Sequence, residues 1–116
     1  MRFWDSSALV ALLAPQSSTA AAEALLRTDS LMLVWWGTSV ECTSALARLE
    51  RERALAPSDV AMAQVRLRAL AETWHEVLPH VRIRATAERL VRMHPLRAAD
   101  ALQLAAALEV AGPLRG

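Results

Sequence analysis

The run Leu31-Met32-Leu33-Val34-Trp35-Trp36, closed by Gly37, contains no polar residue. A strand with one wet face alternates apolar and polar side chains. An unbroken apolar run this short instead marks a strand covered on both faces. Such strands belong to parallel sheets, whose crossover helices lie on either side. The rest of the chain must therefore supply helices.

It does so in alternation with two further strand-like runs. Arg2-Phe3-Trp4 predicts a short first strand. A helix capped by Ser6 or Ser7 follows to Leu13, stopped by Pro15. Ser17-Ser18-Thr19 predicts the cap of a second helix, with Ala22, Leu25 and Leu26 on its apolar face. Beyond the buried strand, a helix runs from Thr38 to about Arg53, with Val40, Leu46 and Leu49 inward and Arg48 to Arg53 carrying the solvated charges. Pro57-Ser58-Asp59 opens another, placing Ala63, Leu67, Leu70 and Trp74 on one face. His75 to Leu78, before Pro79, predicts a third strand, and Thr86 to Met93 a helix. After Pro95 a last helix runs from about Arg97 to Ala111, ended by Gly112-Pro113. Strands alternating with helices predict an α/β domain with a mostly parallel sheet, whose ligands bind at the carboxyl ends of the strands.

Composition narrows the chemistry. The 116 residues suit one domain with a sizeable core. No apolar run approaches the ~18 residues of a membrane span, and the opening residues are charged too early for a signal peptide. Cys42 is the single cysteine, so no internal disulfide forms and an intracellular, cytoplasmic setting is expected. Cysteine-built zinc sites are excluded, and His75, His80 and His94 show no ligand spacing. All 13 basic residues are arginine, which excludes lysine-dependent chemistry. Arginine suits phosphate contacts, although the scatter of these residues fits a compositional bias better than a binding patch.

Three carboxylates stand in apolar surroundings. Asp5 ends the first strand and precedes a helix. Glu41 lies in Thr38-Ser39-Val40-Glu41, and Asp100 in Leu96-Arg97-Ala98-Ala99-Asp100-Ala101-Leu102-Gln103-Leu104. Each has a structural explanation. Asp5 suits a helix N-cap, although Ser6 or Ser7 would serve as well and leave it free. Thr38 and Glu41 form a capping box, in which Glu41 reaches back to the Thr38 amide. Asp100 can pair with Arg97, three residues earlier. Its helix reads as buried nearly all round, which makes an unpaired charge there costly. Were the three acids to converge, they would repel one another unless a cation lay between them. Carboxylates with room for water and phosphate oxygens suit Mg²⁺ or Mn²⁺, and phosphodiester hydrolysis is the natural reaction of such a site.

The other candidates are weaker. Cys42 sits within a helical pattern and reads as a buried structural thiol. No serine lies in a Gly-x-Ser-x-Gly setting, and no glycine-rich phosphate loop is present. Trp4, Trp35 and Trp36 are able to stack on bases, but core packing is the simpler reading.

At these residues the chain resembles the PIN-domain family, and within it the VapC-type ribonuclease toxins of bacterial toxin–antitoxin pairs. The opening strand ending in Asp5-Ser6-Ser7-Ala8-Leu9, the Thr38-Ser39-Val40-Glu41 segment and the Leu96 to Ala107 segment carry the likeness, in order and in spacing. The resemblance implies a three-layer α/β/α fold and an endoribonuclease dependent on Mg²⁺ or Mn²⁺. By position, Asp5, Glu41 and Asp100 match its metal-binding acids, and Ser7 matches a supporting hydrogen-bonding residue. A homodimer and a cognate antitoxin are implied as partners. Arg97 is a candidate for contact with the RNA backbone. Family members continue past the last helix into a further strand carrying a fourth acid, whereas residues 1–116 stop at Gly116. The expectation is therefore a single PIN-like domain incomplete at its C-terminus, without its last strand. That departure raises a second reading, a shortened module that keeps its dimer and antitoxin surfaces without catalysis. A phosphoryl-transfer receiver domain also places an aspartate at a strand end, but its chemistry uses a lysine that this chain lacks.

Overall fold

Two sets of alternating side chains on one strand organise the whole molecule. The computed structural model describes residues 1–15 and 19–111. In it β2 (Met32–Trp35) sends Met32 and Val34 into one apolar cluster and Leu33 and Trp35 into another. Successive side chains of a strand point to opposite faces, so β2 is the wall between two half-cores. It is the central strand of a parallel sheet, flanked by β1 (Arg2–Phe3) and β3 (His75–Val77). Arg2 lies opposite Met32, and Trp35 opposite Val77.

Four helices pack on the Met32/Val34 side: α1 (Ser6–Leu13), α2 (Thr19–Thr28), α3 (Thr38–Arg51) and α4 (Pro57–Ala71). Leu9, Cys42, Leu46, Ala63 and Leu67 fill this half, together with Trp4 and Trp74. Arg66 of α4 donates to the Leu12 carbonyl at 2.7 Å, closing off one of the orphan acceptors at the end of α1. On the other side α5 (Val81–Met93) and α6 (Ala98–Ala111) bury Ile83, Ala87, Ala101, Ala105 and Ala106 against Trp35 and Val77. The Arg82–Glu109 pair, 2.7 Å, joins these two helices at the surface. Three layers result, with helices on both faces of a parallel sheet, as the apolar run of β2 requires.

Several local expectations are corrected. α5 begins at Val81, not Thr86, because His80 after Pro79 acts as its cap: Nδ1 accepts from the Arg82 amide at 3.0 Å. Val40, read as inward, is 70% exposed, and Leu25 of α2 is also exposed. Trp4 and Trp35 are core residues, but Trp36 lies past the end of β2 and is 54% exposed. The α3 C-terminus closes in a left-handed turn at Arg53 (φ 59°), with the Arg53 amide donating to Glu50 and the Ala54 amide to Leu49. This is the pattern in which glycine is usual. The caps assigned to Ser17 and Ser18, the Gly112-Pro113 stop and the expected absence of a further strand fall outside the described residues.

Candidate active site

The carboxyl ends of β1 and β2 feed directly into α1 and α3, so the first turns of both helices face the same edge of the sheet. Asp5 is itself the N-cap of α1: its Oδ1 accepts from the Ala8 amide at 2.9 Å and from Ser7 Oγ at 2.8 Å. The expectation that Ser6 or Ser7 would cap in its place is therefore corrected. Ser6 instead opens the helix and donates to Glu41 Oε1 at 3.0 Å. The second oxygen of Asp5 has no partner among the described residues.

Glu41 does not reach back to the Thr38 amide. Gly37 is already helical in backbone (φ −81°, ψ −2°), so α3 starts one residue before the capping box requires, and no side chain caps it. Freed from that duty, Glu41 points across to α1 and α6. Its Oε1 accepts from Ser6 and, at 3.3 Å, from Gln103 Nε2. The Thr38 hydroxyl is buried and accepts from the same Gln103 nitrogen at 2.9 Å.

Asp100 lies in the first turn of α6, but the helix is not buried all round. Leu104, on the same face, is 41% exposed and Leu108 is exposed too, while the buried positions are Ala101, Gln103, Ala105 and Ala106. The small alanines let the helix approach the sheet closely and leave Leu104 and Leu108 outside. Asp100 is thus exposed, and its charge carries no burial cost. The alternative pairing with Arg97 is absent: among the described residues the ion pairs are the N-terminus with Asp29 and Arg82 with Glu109.

Two adjoining cavities hold these groups. The smaller, about 270 Å³, is lined by Asp5, Asp100 and Gln103 with Ser6 and Ser7. The larger, about 560 Å³, shares Ser6, Ser7 and Asp100 and adds Glu41, Arg48 and Arg97. Gln103 and Arg48 are absent from the sequence-based candidates. A polar residue inside Leu102-Gln103-Leu104 was the available signal for the first; nothing in the sequence distinguishes Arg48 from its charged neighbours.

Among the described residues, no three His, Cys, Asp or Glu side chains lie close enough to cage an ion. The donor set nevertheless fits a hydrated hard cation. Mg²⁺ typically keeps several waters and takes only one or two carboxylates besides phosphate oxygens. Asp5 and Asp100 face one cavity, neither is neutralised by an arginine among the described residues, and the oxygens already engaged on Asp5 and Glu41 are held by neutral donors.

Cys42 reports the negative field of this edge. It is fully buried, and its thiol is pushed up to about 12, first by burial and then by the charges of Glu41 and Asp5. A thiol held neutral and out of solvent is neither nucleophile nor metal ligand. Native protein at mildly alkaline pH is expected to resist iodoacetamide and to take up one equivalent on unfolding, as counted by intact mass.

Among the described residues no helix is long and apolar enough to cross a membrane. The family description "PIN domain" matches residues 2–114. Two curated proteins of Mycobacterium tuberculosis are similar in sequence: Ribonuclease VapC45 of strain CDC 1551 / Oshkosh and Ribonuclease VapC49 of strain ATCC 25618 / H37Rv. Each is 35% identical over 115 residues, covering 96% of this chain and 77% of the relative. With the three-layer parallel fold and the acids at its carboxyl edge, these similarities show that the chain belongs to the PIN-domain family, and within it to the VapC-type nucleases.

Proposed function

We propose that this protein is an endoribonuclease that hydrolyses RNA phosphodiester bonds with Mg²⁺ or Mn²⁺, acting as the toxin of a type II toxin–antitoxin pair. The observation that carries this reading is the shared cavity of Asp5, just after β1, and Asp100, in the first turn of α6, two carboxylates without a cationic partner among the described residues. The names of the mycobacterial relatives support the substrate class. RNA is the substrate, a cognate antitoxin the inhibitor, and a cytoplasmic homodimer the working form. The last two rest on family resemblance.

A bound divalent cation supplies positive charge against the phosphate and eases ionisation of a water. Asp5 and Asp100 would hold it, Asp5 through the oxygen that the α1 cap leaves free. Ser7 keeps Asp5 oriented by its hydrogen bond to the other oxygen. Glu41, fixed through Oε1, retains one oxygen for a further coordination place or for the proton of the attacking water. Arg48 and Arg97 line the wider cavity and suit the flanking phosphates of the strand.

Purified protein with Mn²⁺ is expected to cut single-stranded RNA, and excess EDTA to return cleavage to background. Cleavage that survives EDTA would sink the metal-dependent reading. One other reading is the non-catalytic module, since among the described residues no three acids close on one point. Calorimetric titration separates the two: Mn²⁺ binding without turnover of any RNA supports the module, and metal-dependent turnover excludes it.

A further inference from the structure

Gln103 stands where an apolar residue would pack more simply. It lies between Leu102 and Leu104 on α6 and is only 5% exposed, buried like Ala101, Ala105 and Ala106 but turned toward the side of Asp100 and Ala107. Its amide nitrogen donates to Thr38 Oγ1 at 2.9 Å and to Glu41 Oε1 at 3.3 Å. Both N–H groups are thereby used. Its Oε1 is buried without a partner among the described residues. A carboxylate only accepts hydrogen bonds, so the nitrogen must face Glu41, and the amide keeps this orientation although its carbonyl goes unpaired. Gln103 also lines the cavity of Asp5 and Asp100. Arginine or lysine in its place would neutralise Glu41, whereas the amide holds the carboxylate still and leaves its charge intact.

We propose that Gln103 is a positioning residue: through its neutral donor, and with Thr38 fixing the amide plane, it holds the Glu41 carboxylate toward Asp100, with which Glu41 shares the wider of the two adjoining cavities. This rests on the reading of Asp5, Glu41 and Asp100 as a cation site. Residues that orient a metal's ligands typically change affinity about 10–100-fold when replaced.

The test is Mn²⁺ affinity, read from the electron paramagnetic resonance signal of free Mn²⁺, in a double-mutant cycle. Gln103→Met, of similar volume without a donor, is expected to weaken Mn²⁺ binding roughly tenfold or more, and to lower kcat for RNA with KM little changed. In the Glu41→Gln background the same substitution is expected to change affinity by no more than about twofold, because its effect passes through Glu41. A second measurement needs no change at Gln103. In the wild type, Mg²⁺ is expected to shift the Gln103 side-chain amide resonances in ¹⁵N–¹H correlation spectra, and in Glu41→Gln to leave them in place. Wild-type Mn²⁺ affinity in Gln103→Met, or an equal loss in both backgrounds, overturns the positioning role while leaving the cation site standing. Resonances indifferent to Mg²⁺ in a wild type that binds the ion do the same. A wild type that binds no Mn²⁺ overturns both readings together.

Discussion

Asp5→Asn is expected to lower RNA cleavage by roughly a hundredfold or more, since even outer partners of a metal cost about 10–100-fold. The same substitution should leave the thermal midpoint almost unmoved. On the proposed reading Asp5 has two duties that fall on different oxygens. Oδ1 caps α1 through the Ala8 amide, while the other oxygen has no partner among the described residues. Asparagine caps a helix about as well as aspartate and keeps an oxygen for Ala8 and Ser7, but it removes the negative charge. Asp5→Ala removes both functions. It should add a cap loss of about 1 kcal/mol, which corresponds to a midpoint lower by about 4 °C for a domain of this size. Melting curves and RNA cleavage assays on the two variants separate the roles. Full cleavage by Asp5→Asn would remove Asp5 from the cation site. Equal destabilisation by both variants would show that the cap needs the charge as well as the oxygen.

The largest effect on stability is expected at Leu46. It is fully buried in the half-core built by α1, α3 and α4. Its truncation to alanine should cost about 2–5 kcal/mol, from lost transfer energy and the cavity left behind. The midpoint should fall by roughly 10 °C or more. Leu46 lies one turn beyond Cys42 and just over one turn beyond Glu41, so it also anchors the part of α3 that faces the acids. Urea unfolding checks the value; a loss below about 1 kcal/mol would mean that the neighbouring helices close the gap.

The layering was legible because β2 has no polar residue, and a strand of that kind admits only one kind of surroundings. That the three acids and Ser7 gather at one edge of the sheet was legible, but not the physical reason for their placement. Buried charge does not account for them: Asp5 and Asp100 are exposed and Glu41 is only partly covered. The burial expected around Asp100 fails because α6 is apolar on nearly every face, so its periodicity does not tell the alanines that are buried from Leu104 and Leu108, which are exposed. The capping box at Thr38 and Glu41 fails by one residue of helix phase at Gly37, which leaves Glu41 as a link between helices. Gln103 escaped notice because its partners, Thr38 and Glu41, lie more than sixty positions away in sequence.

That link has a consequence for how the molecule opens. Ser6, Glu41, Gln103 and Thr38 form one hydrogen-bonded chain across α1, α3 and α6. α1 and α3 belong to one half-core and α6 to the other, with the sheet between them. Apolar packing holds each half to its own face of the sheet, but at the carboxyl edge these four polar side chains act as a rivet through the wall. Elements that pack only on their own side can loosen as separate units. Here a departure of α6 pulls the donor from Glu41 and takes Asp100 with it, so partial opening of the smaller layer would dismantle the acid cluster while the larger one stayed folded.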